Sequence, residues 1–328
     1  MALDIAYTSG VIAVREKYLL KERIYRLCEL SAEEAFRMLL ESGFGGGAET
    51  ATSVYDYEKL IAVEEEKTDA FIREFAPKKG IAEYLLAPRD FHNAKALVKA
   101  SYTGESAERM LAPEGLIPIA TLKDCIQNAD YTKLQALCPR LALACKDATT
   151  LLEEEPSGEK LGSIFQTALF EYLKACTKGT RVLSKLLSAK ADMTNILTAF
   201  RVQDSEQLKG AFLPCGTLNE KDLEVLLGTN KEKILAYFAK TPYAEFVKVC
   251  VSAREKGLPM TQAEKLCDGY AYSYFEKKKY ELEKSEPFLY YIYRRKTESA
   301  NVRIIFVCLL AGLSEQEIKA RIRGKESV

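Results

Sequence analysis

The sequence predicts an all-α protein made of three similar helical domains, and three observations carry that reading. First, apolar residues recur at helical spacing, and no stretch sustains the period-two alternation of a strand. Second, an acid-x-x-Asn pair occurs three times: Asp90 and Asn93 in R-D-F-H-N-A-K-A-L-V-K-A, Asp192 and Asn195 in A-D-M-T-N-I-L-T-A-F-R, and Glu298 and Asn301 in T-E-S-A-N-V-R-I-I-F. The asparagines lie 102 and 106 residues apart. Third, apolar positions match around them. Nine residues before come Tyr84, Leu186 and Ile292, and five after come Val98, Phe200 and Phe306.

The agreement in order and spacing predicts an internal repeat of roughly a hundred residues, with domains at 1–112, 113–213 and 214–328. An upstream marker, Glu66-Lys67, Glu159-Lys160 and Glu264-Lys265, precedes its asparagine by 27, 36 and 37 residues, so the first copy reads as shortened. Each copy alone makes a marginal domain, which favours burial between copies.

Residues 7–44 read as a long helix followed by a capped one. Val11, Val14, Tyr18 and Leu19 mark the apolar side of the first. Ser31 and Glu34 form a capping box for the second, with Leu30 just before it. Gly43, Phe44, Gly45, Gly46 and Gly47 end that helix and are a candidate partner-contact loop. Residues 59–75 predict a charged helix whose Glu64-Glu65-Glu66 run reads as a solvated face. Gly80 breaks the chain, Pro88 introduces the first asparagine helix, and Ser101–Gly104 ends it. Pro113-x-Gly115 and Pro214-x-Gly216 open the second and third copies, with Leu122 and Leu223 each seven residues past the glycine. Asn219 and Asp222 supply a cap in the third copy. Residues 153–158 read as a loop. Tyrosines and phenylalanines concentrate between Tyr270 and Tyr293. Val302, Ile305, Phe306, Leu309 and Leu313 then share one helix face. Gly312 closes that helix, and Ser314 with Glu317 caps a last one carrying Ile318 and Ile322.

The 328 residues are 48% apolar and 29% charged, which is ordinary for a globular protein and too apolar for disorder. Lys+Arg and Asp+Glu are 47 each. That balance gives no support for nucleic acid as the main partner, nor for a polybasic membrane clamp. No apolar run approaches the roughly 20 residues of a membrane span. No basic region precedes the first apolar residues, so no signal peptide is expected. Nine cysteines, an odd number without a C-x-x-C, read as reduced and buried thiols.

No catalytic constellation emerges. The single histidine, His92, would have to serve any Cys-His or Ser-His mechanism. Its place in the repeat is taken by Thr194 and Ala300, which points to a structural role. The glycines at 45–47 lack the Gly-Lys-Ser/Thr ending of a phosphate loop and follow no strand. Metal binding finds one histidine and no cysteine pair at ligand spacing. No cofactor, no metal and no nucleotide contact is expected. Lys319, Arg321, Arg323 and Lys325 form a short basic patch that reads as a helix surface. The acid-x-x-Asn pairs read as structural, because a buried asparagine is costly unless bonded. Three equivalent asparagines predict three equivalent buried bonds.

The C-terminal run P-x-L-Y-Y-I-Y-R-R-x-x-E-S-A-N-V-R-I-I, followed by A-G-L-S-E-Q-E-I-K-A-R-I, resembles the closing signature of the C subunit of V-type (archaeal and bacterial A/V-type) ATPases. That family is homologous to the d subunit of the eukaryotic vacuolar ATPase. D-F-H-N-A-K-A-L-V-K with the later P-E-G-L-I-P is similar to the family's first-domain segment. The middle copy departs, since no arginine follows Asn195 where Arg303 follows Asn301. The resemblance implies a funnel of three helical domains around a pseudo-three-fold axis. It implies a non-catalytic rotor subunit on the cytoplasmic face of the membrane, a monomer within a larger complex. Its partners would be the D and F subunits of the central stalk and the membrane proteolipid ring. Its task would be the transmission of torque for coupled proton or sodium transport. Two other readings follow from the residues alone: a helical repeat scaffold for a protein or peptide, and a helical enzyme that uses His92.

Overall fold

A computed structural model describes residues 5–46, 51–202, 204–279 and 285–323. Among these residues there is no strand, and the protein is all-α. In chain order the helices are α1 (Ile5–Arg15), α2 (Arg23–Leu27), α3 (Ala32–Glu41), α4 (Tyr57–Phe75), α5 (Lys79–Thr103), α6 (Ile119–Gln127), α7 (Thr132–Leu137), α8 (Pro139–Glu154), α9 (Gly158–Cys176), α10 (Arg181–Arg201), α11 (Ser205–Ala211), α12 (Glu220–Leu227), α13 (Lys231–Phe238), α14 (Ala244–Glu255), α15 (Thr261–Lys277), α16 (Glu286–Leu310) and α17 (Glu315–Arg321).

Local chemistry sets many of these ends. Ser31 and Ser314 each accept from the third residue of the following helix, and Glu34 and Glu317 reach back to complete capping boxes. Asn219 and Asp222 do the same for α12. Gly43, Gly104 and Gly312 adopt φ of 75°, 71° and 71°, the left-handed turn that ends α3, α5 and α16 without a Cβ clash.

Four expectations are corrected. The first long helix is broken after Arg15: a 3-10 turn and an extended Leu19 follow, and Lys21 takes a positive φ of 49°. Its buried side is Thr8, Ile12, Leu19 and Leu20, whereas Val14 and Tyr18 are exposed. Pro88 does not open its helix, because it lies inside the 25-residue α5, and the break expected at Gly80 falls just before it, at residues 76–78, with Gly80 the second residue of α5. The proline removes one N–H from the ladder, but Tyr84, Leu85, Leu86, Ala87 and Phe91 are buried on both sides of it and hold the helix through. Gly80 is there for packing, since a Cβ would meet the Cys176 carbonyl oxygen at 2.2 Å. The first copy is not shortened over the helix that carries its Glu-Lys marker: α4, like α9 of the second copy, is 19 residues long. Glu66-Lys67 sits mid-helix, whereas Glu159-Lys160 and Glu264-Lys265 lie in first turns, so the marker is out of register. Finally, the Glu64–Glu66 run is not a solvated face, because Glu64 is buried.

The chain forms two compact units, residues 1–78 with 268–328, and residues 79–267. These divisions fall at 78/79 and 267/268, away from the expected boundaries at 112/113 and 213/214. The reason lies in how the asparagine helices pack: each docks on the copy after its own. In the second unit α5 packs on α6, α8 and α9, and α10 packs on α12 and α14. In the first, α16 packs on α2, α3 and α4.

The cores follow the same logic. In the first unit Val302, Ile305 and Phe306 of α16 sink among Ile24, Leu27, Ala35, Phe36, Leu39, Leu60 and Ile61. The Phe306 ring stacks on Tyr57 at 5.2 Å and meets Phe36 edge-on at 6.3 Å. In the second unit Phe91, Ala94, Leu97 and Val98 of α5 join Leu122, Ile126, Leu134, Leu141, Cys145, Leu161 and Phe165. Burial of each such large side chain contributes roughly 1.5–3 kcal/mol.

Candidate functional site

The six acid-x-x-Asn residues are all buried, and each pair grips backbone rather than facing solvent. Spacing of i and i+3 puts the two side chains on one helix face. The asparagine amide is donor and acceptor at once, so it can pair with one backbone N–H and one C=O of a crossing segment. A carboxylate can only accept, so it takes N–H groups from the turn beyond.

In the first copy, Asn93 donates to the Ala112 carbonyl at 3.1 Å and accepts from the Ala112 N–H at 2.8 Å. Asp90 accepts from the N–H groups of Leu116 at 2.9 Å and Ile117 at 3.1 Å. The second copy repeats this. Asn195 exchanges two bonds with Leu213, at 3.0 and 2.9 Å. Asp192 accepts from the N–H groups of Thr217 and Leu218, from the Thr217 hydroxyl at 2.7 Å and from the Tyr243 hydroxyl at 2.6 Å. The glycine of each Pro-x-Gly opener lies against the acid: a Cβ would stand 2.4 Å from Asp90 Oδ1 at Gly115, and 1.9 Å from Asp192 Oδ1 at Gly216.

The third copy keeps the asparagine and changes the acid's task. Asn301 exchanges bonds with Arg323, at 2.9 and 2.8 Å. Glu298 accepts from the N–H of Leu20, a residue 278 positions earlier. The acids of copies one and two hold the opening of the next copy; the acid of copy three holds the opening of the first. Glu298 also binds Arg295 at 2.6 Å, and Arg295 is paired in turn with Glu64. Glu64 further accepts from Lys67 at 2.8 Å and from the Gly45 N–H at 3.0 Å. Burial raises the pKa of the Glu298 carboxyl, against the pull of Arg295 and the Leu20 N–H. Burial likewise lowers that of the Arg295 guanidinium. The Lys67 ammonium, partly shielded from water, is lowered for the same reason.

The candidate contact loop splits. Phe44 and Gly45 are buried, with Gly45 directly beneath Leu60, while Gly43 and Gly46 are exposed. Gly47 lies outside the described residues. His92 is exposed, and its Nε2 donates to the Met110 carbonyl at 2.8 Å, beside the Ala112 segment that Asn93 holds. That placement gives it a bracing role. The basic patch is largely spent within the fold: Lys319 pairs with Glu29 and Glu315, and Arg323 with Asp268. Lys325 lies outside the described residues.

Reactive chemistry finds little footing. All nine cysteines are free thiols. Burial pushes Cys28 and Cys176 up to about 11 and Cys145 and Cys250 up to about 12, which disfavours the nucleophilic thiolate. Among the described residues no group of three His, Cys, Asp or Glu side chains is placed to hold a metal, and no helix is long and apolar enough to cross a membrane. A groove of about 1620 Å³ in the second unit runs along α8, α9, α10 and α11 and passes His92, Arg140 and Arg201.

Reading the sequence missed Arg295, Glu64 and Tyr243 as parts of these clamps. Two signals were available. The Arg294-Arg295 pair has no counterpart in the other copies, and the Pro-x-Gly openers recur at a near-constant distance from the acids.

Comparison with known proteins places the chain in a family. The chain is 23% identical to the C subunit of the V-type sodium ATPase of Enterococcus hirae, over 82% of each chain. It is 25% identical to the C subunit of the V-type ATP synthase of Thermus thermophilus, over 79% of this chain and 82% of that one. It is 27% identical to the C subunit of the A-type ATP synthase of Pyrococcus furiosus, over 77% and 72%. Residues 8–321 match the ATP synthase (C/AC39) subunit family, and the chain belongs to that family.

Proposed function

We propose that this protein is a non-catalytic rotor subunit of a V-type ATPase or ATP synthase. It joins the central stalk to the proteolipid ring at the cytoplasmic face of the membrane and transmits torque between ATP turnover and proton or sodium movement. Its partners in this reading are the D and F subunits of the stalk and the ring. The family match over residues 8–321 carries the assignment.

The clamps support the mechanical part. A torque coupler must resist shear between its helical bodies. Here the linkers at Ala112–Ile117 and Leu213–Leu218 are bonded through their backbones to buried side chains of the preceding helix. Such bonds are directional, and breaking them leaves buried polar groups unpaired. A linker gripped at both ends moves with its helix instead of acting as a hinge.

The test is affinity purification of the tagged chain from gently solubilised native membranes, with every co-purifying protein identified. Recovery with nucleotide-binding subunits, a stalk coiled coil and a small proteolipid is expected. Recovery alone, or only with soluble proteins unrelated to the ATPase, would reject the assignment.

A further inference from the structure

The first unit is assembled from two chain segments, residues 1–78 and 268–328, and ion pairs connect them. Arg294 binds Glu16 at 2.7 Å, Arg295 binds Glu64, Arg303 binds Glu58 at 2.9 Å and Glu65 at 3.4 Å, and Lys319 binds Glu29 at 2.8 Å. Every acid in this set lies on the N-terminal segment and every base on the C-terminal one. We propose that these contacts are a pairing code that selects the helical body on which α16 docks.

The need for a code follows from the repeat. The three asparagine helices share their acid-x-x-Asn residues and their flanking apolar positions. Apolar burial of about the right volume is a weak discriminator between similar partners. For α5 and α10 the chain itself decides, because the body each docks on follows directly and closing a short loop costs little entropy. For α16 the body is the one at the far end of the chain, as the 278-residue separation of Glu298 and Leu20 shows. Chain connectivity gives α16 no comparable guidance.

The Arg294–Arg295 pair appears only where that guidance is missing, although α10 also makes one exposed ion pair, Arg201 with Glu264. The places of Arg294 and Arg295, counted from the asparagine, hold Leu86 and Ala87 in α5 and Ser188 and Ala189 in α10. On the receiving side, aligning the ends of α4 (Phe75) and α9 (Cys176) puts the buried Phe165 at the place of Glu64. On the body of α6–α9, α16 would carry Arg295 and its own Glu298 against that phenylalanine, without Glu64 to complete the set. A buried charge that loses a partner is disfavoured. The correct pair need add little stability over an apolar one to reject the wrong body by this penalty. The inference does not depend on the assembly in which the chain works.

The experiment refolds the full-length chain from urea and follows it by size-exclusion chromatography and by hydrogen exchange of α4 and α16. Two variants are compared with the parent chain. E64L/R295M replaces the Arg295–Glu64 pair by apolar side chains and leaves Glu298 with the Leu20 N–H, and R294A/R303A removes half-buried pairs outside the core. Refolding of the parent is repeated at about 1 M salt, where charges are screened beyond about 3 Å. The expected result is a several-fold fall in the yield of the single native species in both variants and, more mildly, in the parent at high salt. The lost material should appear as further species with unprotected α4 amides. If E64L/R295M does not fold, R294A/R303A and the salt series decide. Variants that shift the urea midpoint yet refold to one species with parental protection, together with a salt-independent yield, would overturn the proposal.

Discussion

Gly216 lies so close to Asp192 that a Cβ on it would stand 1.9 Å from Oδ1 and 2.7 Å from Cγ. The glycine is set by approach rather than by backbone angle, since it is not among the glycines of positive φ. Gly216→Ala should therefore break the clamp, by displacing the carboxylate from Thr217 and Leu218. Overpacking of this kind costs roughly 1–3 kcal/mol. The control is Gly162→Ala in α9, where no atom lies within 4 Å. There the alanine should stabilise the helix by about 0.5–1 kcal/mol. Urea unfolding of both variants checks the contrast, and equal effects would remove the close-approach explanation.

Asn195→Asp is the sharper test of the amide. The aspartate keeps the shape and the acceptor for the Leu213 N–H, but its ionised form has no donor for the Leu213 carbonyl. It would also bury a second carboxylate three residues from Asp192. Loss of the bond to a buried carbonyl costs on the order of 1–3 kcal/mol, and the charge adds to it. Part of the loss should return at low pH, where a protonated carboxyl can donate again. Asn195→Ala has no such recovery. Melting temperatures of both variants at neutral and acidic pH distinguish them.

The clamps show where the sequence was legible. The asparagines, their apolar neighbours and the serine capping boxes are local or periodic signals, and each was readable from residue type and spacing. Docking of an asparagine helix on the following copy was not, because similar copies carry interchangeable apolar faces and periodicity does not say which pair meets. Glu64 illustrates the same limit. In the run Glu64-Glu65-Glu66 nothing marks one carboxylate as buried; its partners include Arg295, far along the chain, and the Gly45 N–H. The end of the first helix at Arg15 was equally hidden. The Arg15 guanidinium lies 4.6 Å over the Phe71 ring, and the exposed Val14 and Tyr18 lost the inward face to Ile12 and Leu20.

The thiols should resist alkylation in the folded chain. Burial raises the pKa of Cys145 and Cys250 to about 12, and both are shielded from reagent. Cys176 and Cys215 are only half-buried and should label first. Iodoacetamide at mildly alkaline pH, followed by peptide mass spectrometry, is expected to modify these two slowly and the buried seven only after urea is added. Fast labelling of Cys145 in the native chain would show that the core around α8 opens.

Acid should weaken the fold through its helix caps. The Ser31 and Ser314 hydroxyls and N–H groups hold Glu34 and Glu317 below the usual carboxylate range. Lys59 and the N–H groups of Thr52 and Ser53 bring Asp56 down to about 2. A carboxyl depressed in the folded state binds its proton less readily there than in the unfolded chain, so falling pH favours unfolding. The stabilisation is complete above the ordinary carboxylate values near 4 and is lost as pH drops through the depressed folded values. Ser31→Ala and Ser314→Ala remove the partners that depress Glu34 and Glu317. Each variant should be less stable at neutral pH and show a shallower loss between about pH 5 and pH 3. Melting temperatures across that range check the slope, and parallel curves for parent and variants would assign the acid sensitivity to other carboxylates.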